Sequence, residues 1–416
     1  MTEREPDDRR RKRELLLGRV RTAIERTRAV RAPDDRVAVF DPVATVEDGR
    51  VVLSGVVPDD ATRRDLERSV SRACAGVGIE VESEVGDGIR SRLRTVSAVA
   101  EPRTAATVAA PVRSTPDPDG EQVTQATYGT TVTAMDRRRG WRRVRTADGY
   151  VGWVRGDALV PPASTVADRT DGRAAAVVTN RVADPRWIGE GERCEGVRSE
   201  REGPTECGVD ATLPDRIPRG TPCRIGRRAG NDDRGPDDDR GSEDERDPDD
   251  ERRVGDEHPS EGGVLVRFAT GAAAELPDSS VTALVDAQSD PAAAGRAVAE
   301  IAREFLGTPY EWGGMTGSGI DCSGLTLVSY ACLGVDLPRD TDQQERVGVD
   351  VDRDALRAGD LLFFPGHVAV ATDGSTYVHA HGDTGAVTTN SLDPADERYH
   401  ADLDDAISSL KRPLGR

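Results

Sequence analysis

Cys322 follows an aspartate and opens an apolar, helix-like run in GIDCSGLTLVSYACLG. Asp321 is a good N-cap, which places Cys322 in the first helical turn. There the unsatisfied amides and the helix dipole favour thiolate over thiol, the setting of a partly exposed, nucleophilic cysteine. Such a nucleophile needs a general base, and the base needs a group that orients it. The chain has five histidines, and His367, His379 and His381 fall in one stretch, LRAGDLLFFPGHVAVATDGSTYVHAHGDTGAVTTNSL. His367 starts a strand that a turn connects to the next. With Thr372-Asp373-Gly374 as the loop and Gly374 left-handed, Ala371 pairs with Ser375 and His367 lies directly opposite His379 on one face. Cysteine, histidine and a polar residue on the adjacent strand are the parts of acyl transfer to sulfur. The Cys322 amide at the helix start is a candidate oxyanion donor. Cys332, between Ala331 and Leu333, reads as core, and His381 and His400 as surface residues.

The elements that must hold these groups can be read from the rest of the chain. Residues 290–306, DPAAAGRAVAEIAREFL, form an amphipathic helix with Asp290 as cap and Pro291 at its first position. It leads into the Cys322 segment, and residues 290–416 make the last domain. Upstream, residues 1–92 read as a small α/β unit. A polar helix over 8–30 precedes strand-like runs with a hairpin signal at Asp48-Gly49, a helix carrying Leu66 and Val70, and an alternating strand in IEVESEV. Residues 93–165 are short β-runs separated by glycine-centred turns, suited to a small closed barrel. A second such barrel spans 172–288, interrupted at 226–263 by a charged stretch nearly free of apolar residues. That insertion cannot bury enough surface to offset its ordering entropy and is expected to be disordered.

Composition narrows the function classes. The chain has 416 residues, a net charge of −19 and 36% hydrophobic content, and all but two of its 57 basic residues are arginine. An anionic surface repels nucleic acid and anionic membranes. Lysine scarcity with abundant aspartate suits a protein that works in concentrated salt, where charge is screened within about 3 Å at 1 M; a GC-rich coding bias is the alternative. No run approaches the roughly 18 apolar residues of a membrane span. Only Leu15, Leu16 and Leu17 follow the basic N-terminal stretch, too few for a signal peptide, so the expected location is cytoplasmic. Six cysteines are present without a CxxC pair, so no structural metal is expected. A disulfide among Cys194, Cys207 and Cys223 would be unusual in a reduced compartment.

VTQATYGTTV followed by GWRRVRTADGYVGWV resembles a bacterial SH3-like domain. TPYEWGG, DCSGL, LPRDTDQQ, LRAGDLLFF, GHVAVATDG and YVHAHGDTG, in that order, resemble the NlpC/p60 family of papain-like cysteine peptidases over about residues 295–412. The resemblance implies an α+β papain-like domain with Cys322 as nucleophile, His367 as base and His379 as its orienter; His381, two residues further on, leaves that last assignment open. It places Tyr310 beside the nucleophile and implies no cofactor. Members joining SH3-like barrels to this domain act on murein stem peptides, at the bond between γ-linked D-Glu and the diamino acid. The domain order is similar to that of the recycling dipeptidyl-peptidases, which implies a substrate with a free N-terminal amine, held by Glu121 and Tyr150 from the first barrel with Asp321 and Ser323. An amidase or acyltransferase on a non-murein γ-glutamyl or isopeptide bond, and an inactive peptide-binding module, are the rival readings. Oligomeric state is not legible.

Overall fold

The computed structural model describes residues 4–47, 50–75, 89–163, 176–179, 182–188, 213–225, 263–283, 287 and 289–414. The Asp48-Gly49 turn, the run IEVESEV, Cys194, Cys207 and the insertion up to residue 262 lie outside them. The chain divides into two compact units, one of residues 1–103, 110–126 and 131–159, the other of 104–109, 127–130 and 160–416.

In the first unit, α1 (Arg4–Arg31) and α2 (Asp60–Ala75) pack against a sheet of β1 (Val43–Glu47), β2 (Arg50–Val57) and β3 (Ile89–Thr95). β1 and β2 pair antiparallel to Glu47 opposite Arg50, while β3 runs parallel to β2 from Val51 opposite Ile89. Leu16, Val20, Ala23 and Ile24 form one stripe of α1 and are buried with Leu66 and Val70 of α2 and Leu53 of β2. The polar helix thus has a narrow apolar face at helical spacing. After one turn, α3 (Val96–Val99), the chain forms β4 (Glu101–Ala105), β5 (Ala109–Arg113), β6 (Gln122–Thr127), β7 (Thr131–Arg138), β8 (Trp141–Arg145), β9 (Val151–Arg155) and β10 (Leu159–Val160). They make one seven-stranded sheet in the order β10-β4-β7-β8-β9-β5-β6. Val39, Val56, Val96, Met135 and Val151 share a core, so the N-terminal segment packs directly on the β7–β9 sheet.

In the second unit, β11 (Ala176–Val178), β13 (Arg186–Trp187), β15 (Pro222–Ile225), β16 (Gly263–Arg267), β17 (Ala273–Pro277) and β18 (Val281–Ala283) form a sheet in the order β13-β17-β16-β15-β11-β18, with β12 (Val182–Ala183) paired to β14 (Ile217–Pro218). Cys223 is a free thiol in the core of this sheet, beside Val266 and Phe268. The C-terminal domain then begins with α4 (Pro291–Arg303), whose cap Asp290 accepts from Ala293 N–H at 2.9 Å.

A small hairpin, β19 (Met315–Thr316) and β20 (Gly319–Ile320), precedes α5 (Cys322–Ala331) and the one-turn α6 (Thr341–Gln344). β21 (Val349–Asp350), β22 (Leu361–Phe364), β23 (His367–Ala371), β24 (Thr376–His381), β25 (Ala386–Ser391) and β26 (Ser409–Arg412) build an antiparallel sheet ordered β21-β26-β22-β23-β24-β25; α7 (Ala401–Asp405) lies between the last two in the chain. Strand alternation buries both faces. Val368, Val370, Val378 and Ala380 pack with Val298 of α4 and Leu325 of α5. Ala369, Ala371 and Tyr377 pack on the other side with Leu362 and Leu403.

Candidate active site

Three local devices fix the site. The first is the cap of α5. Asp321 Oδ1 accepts from Gly324 N–H at 2.7 Å and Oδ2 from Gly313 N–H at 2.8 Å, so one carboxylate both starts the helix and holds the glycine loop before it. The second is the turn into β23. Phe364 pairs with His367 across Pro365-Gly366, and Gly366 has φ 69°. Proline followed by a left-handed glycine is the pattern of a type II turn, and it makes His367 the first residue of its strand.

The third device corrects the expected register. Val370 lies opposite Val378 and Ala371 opposite Tyr377, two residues from the pairing read in the sequence. The connection is longer, closing with Thr372 N–H to Thr376 C=O at 2.8 Å. Gly374 does not adopt a left-handed conformation. Asp373 shapes the loop instead: its Oδ1 accepts from the Ser375 and Thr376 amides, both at 2.7 Å. A two-residue shift preserves the face, and His367 still reaches His379, Nε2 to Nδ1, at 2.9 Å. His379 Nε2 in turn meets Asn390 Oδ1 at 2.9 Å. His381 stacks on the face of His379 with ring centroids 4.9 Å apart.

The nucleophile's surroundings differ from the expectation of an exposed thiolate. Cys322 is buried, at 6% exposure. Burial and the adjacent Asp321 carboxylate push its thiol up, outweighing the Val368 and Ser323 amides and the Thr341 hydroxyl, which act in the opposite direction. Thr341 Oγ1 lies 3.8 Å from Sγ. Among the described residues no hydrogen bond joins Sγ to His367; catalytic bonds often tighten only on substrate binding. Burial, with His379 and His381 nearby, pushes His367 down to about 3. His379 is pushed down to about 4 by burial, with the Asn390 bond opposing and His381 assisting. At neutral pH the pair is therefore neutral thiol and neutral imidazole.

Tyr310 is half-buried close to the thiol, and burial together with Cys322 and Asp321 pushes its hydroxyl up to about 12. Asp321 and Ser323, on either side of the nucleophile in the chain, are buried and engaged by a residue that sequence reading missed. Arg339, 1% exposed, donates to Asp321 Oδ1 at 3.0 Å and Oδ2 at 2.7 Å, and to Ser323 Oγ at 2.8 Å. Gln344, also fully buried, donates to the carbonyls of Ser323 and Pro338 and accepts from Thr326. LPRDTDQQ contained both residues, but nothing local separates Arg339 from the many solvated arginines. Glu121 and Tyr150 belong to the first unit: Glu121 is exposed just before β6, and Tyr150 is buried, its amide bonded to Asp148 at 3.0 Å. Cys332 is a buried free thiol in the core that contains Leu325 and Val328. No group of metal-binding side chains occurs among the described residues. No described helix is long and apolar enough to cross a membrane.

Residues 307–402 match the NlpC/P60 family, and residues 112–159 match the bacterial dipeptidyl-peptidase SH3 domain. Dipeptidyl-peptidase 6 of Lysinibacillus sphaericus is 40% identical over 114 residues, 27% of this chain and 42% of that protein. A γ-D-glutamyl-L-lysine dipeptidyl-peptidase of Bacillus cereus is 52% identical over 60 residues, 14% of this chain and 18% of its own length. The chain thus spans less than half the length of these two relatives. A crystal structure of an NlpC/P60 family protein from Bacillus cereus aligns with TM-score 0.51 and 22% identity, covering 76% of this chain and all of that one, a likeness that bears on fold alone. By these matches the chain carries an NlpC/P60 domain together with a bacterial dipeptidyl-peptidase SH3 domain.

Proposed function

We propose that the C-terminal domain is a cysteine peptidase that hydrolyses the γ-D-glutamyl–diamino acid bond of murein-type stem peptides and releases an N-terminal L-Ala-γ-D-Glu dipeptide. The observation that carries the reading is Cys322 at a capped helix start together with His367 bonded to His379 on adjacent strands. It supports acyl transfer to sulfur. Because thiol and imidazole are both neutral, the Cys322 proton moves to His367 as the sulfur attacks the amide carbonyl. His367 then gives that proton to the leaving amine and activates the water that frees the dipeptide. The Cys322 amide, at the first helical position with no intrahelical acceptor, is the proposed oxyanion donor.

Arg339 bears on how the substrate amine is read. Asp321 is already paired inside the protein, so a free ammonium would have to compete with Arg339 for it. Glu121 and Tyr150 enter this proposal on the family resemblance alone, as do a cytoplasmic location and a role in recycling. The test is incubation with L-Ala-γ-D-Glu-diaminopimelate and its N-acetylated form, with products read by mass spectrometry and Cys322→Ala as control. The expected product is the dipeptide, from the free-amine substrate in preference. Cleavage of both at equal rates would leave a general endopeptidase in its place, and cleavage of neither would remove the murein reading.

A further inference from the structure

A neutral imidazole carries one N–H and one bare nitrogen, and which is which decides whether the thiol meets a base or a second proton. In this site the answer follows from a residue outside the expected triad. Asn390 Nδ2 donates to the Arg398 carbonyl at 3.0 Å. A carbonyl only accepts, so the amide cannot be turned round, and its oxygen is the atom that faces His379 Nε2 at 2.9 Å. An amide oxygen also only accepts, so His379 carries its proton on Nε2 and leaves Nδ1 bare. That bare nitrogen lies 2.9 Å from His367 Nε2, which must therefore be the N–H. His367 Nδ1 is then the ring nitrogen left to take a proton from Cys322. His381 stacks on the ring face of His379, so it supports the ring's plane and leaves this chain of donors and acceptors intact.

We propose that Asn390, anchored on the Arg398 carbonyl, is a positioning residue that sets the tautomers of His379 and His367 and so keeps His367 Nδ1 available as the base. Its catalytic meaning rests on the peptidase reading, but the tautomers do not. The test uses the full chain labelled with ¹⁵N at histidine. Its five histidines give few signals, assignable with single His→Gln variants. At mildly alkaline pH, long-range ¹H–¹⁵N correlation should show His367 and His379 both as the Nε2–H form. Asn390→Leu removes the acceptor: a population of Nδ1–H His379 should appear, and kcat should fall by roughly a hundredfold, the scale of a lost general base, with KM changed by less than about twofold. Asn390→Asp keeps an acceptor and should restore the Nε2–H pattern and most of the rate. A wild-type His379 in the Nδ1–H form would overturn the proposal, as would Asn390→Leu with both tautomers unchanged. If the wild-type protein turns over no peptide, the peptidase reading fails while the tautomer spectrum still decides this one.

Discussion

Replacing Arg339 with methionine should destabilise the C-terminal domain out of proportion to the loss of one side chain. Methionine fills much of the arginine stem's volume, so the perturbation is chiefly electrical. Asp321 is 4% exposed; without Arg339 it keeps the Gly313 and Gly324 amides but loses its counter-charge. Breaking a buried pair by removing one partner costs about 3–5 kcal/mol. At about 2–4 °C per kcal/mol for a unit of roughly 150–250 residues, the midpoint should fall by about 6–20 °C. Unfolding is best followed by pulsed thiol labelling with peptide mapping at Cys332, which is 1% exposed in the same core. Adding Asp321→Asn keeps a competent N-cap and removes the stranded charge, so the double variant should recover about 2 kcal/mol of the loss. The uncompensated carboxylate should also raise the Cys322 thiol further and slow its alkylation. A single variant within about 1 kcal/mol of wild type, or a double variant no better than the single, would refute the reasoning.

Cys322→Ala should abolish peptide hydrolysis with unfolding unchanged to within about 1 kcal/mol, whereas Cys332→Ala, deep in the core, should lose about 1–2 kcal/mol and keep its turnover; equal rates for Cys322→Ala and wild type would end the assignment of the nucleophile. Because His367 is protonated only toward about 3, kcat/KM should hold a plateau below pH 5; an acid limb near the ordinary histidine value of about 6.5 would contradict the buried, neutral base. The same depression affects stability: the unfolded chain takes up protons near about 6.5, the folded His367 and His379 only near about 3 and 4, so their contribution is complete above about 6.5 and declines as pH falls through that window. Urea midpoints of wild type and His379→Gln at several pH values should converge on acidification, and parallel curves would exclude that coupling. The net charge of −19 predicts a melting temperature that rises toward molar salt, as screening relieves self-repulsion; a steady fall would favour coding bias as the source of the composition.

What the sequence disclosed was local, and what it withheld was distant. Asp321 as cap, Cys322 in the first turn, Pro291 at the start of α4 and His367 at the head of a strand are each set by neighbours within a few positions. The β23–β24 register depended on whether Gly374 or Asp373 would shape the loop; the side-chain bonds of Asp373 decided it. Arg339 and Asn390 act on residues 18 and 11 positions away, respectively, and their types gave no sign of it. Exposure was misjudged at Cys322 for a related reason: the helix start argued for thiolate, but the packing that buries it comes from the whole domain.

The seam between the β11–β18 sheet and the nucleophile's domain has a consequence for modularity. Val177 and Ala287 lie in the same apolar core as Cys322 and Leu325, Arg219 is buried against Phe305 and pairs with Glu304, and Gly220 lies close to Val328 of α5. A gene fusion that took only the segment from Asp290 onward would carry an open apolar scar on its surface, with Glu304 stripped of its arginine. The unit that exchanges intact, in recombination or in the laboratory, is this sheet and the domain together.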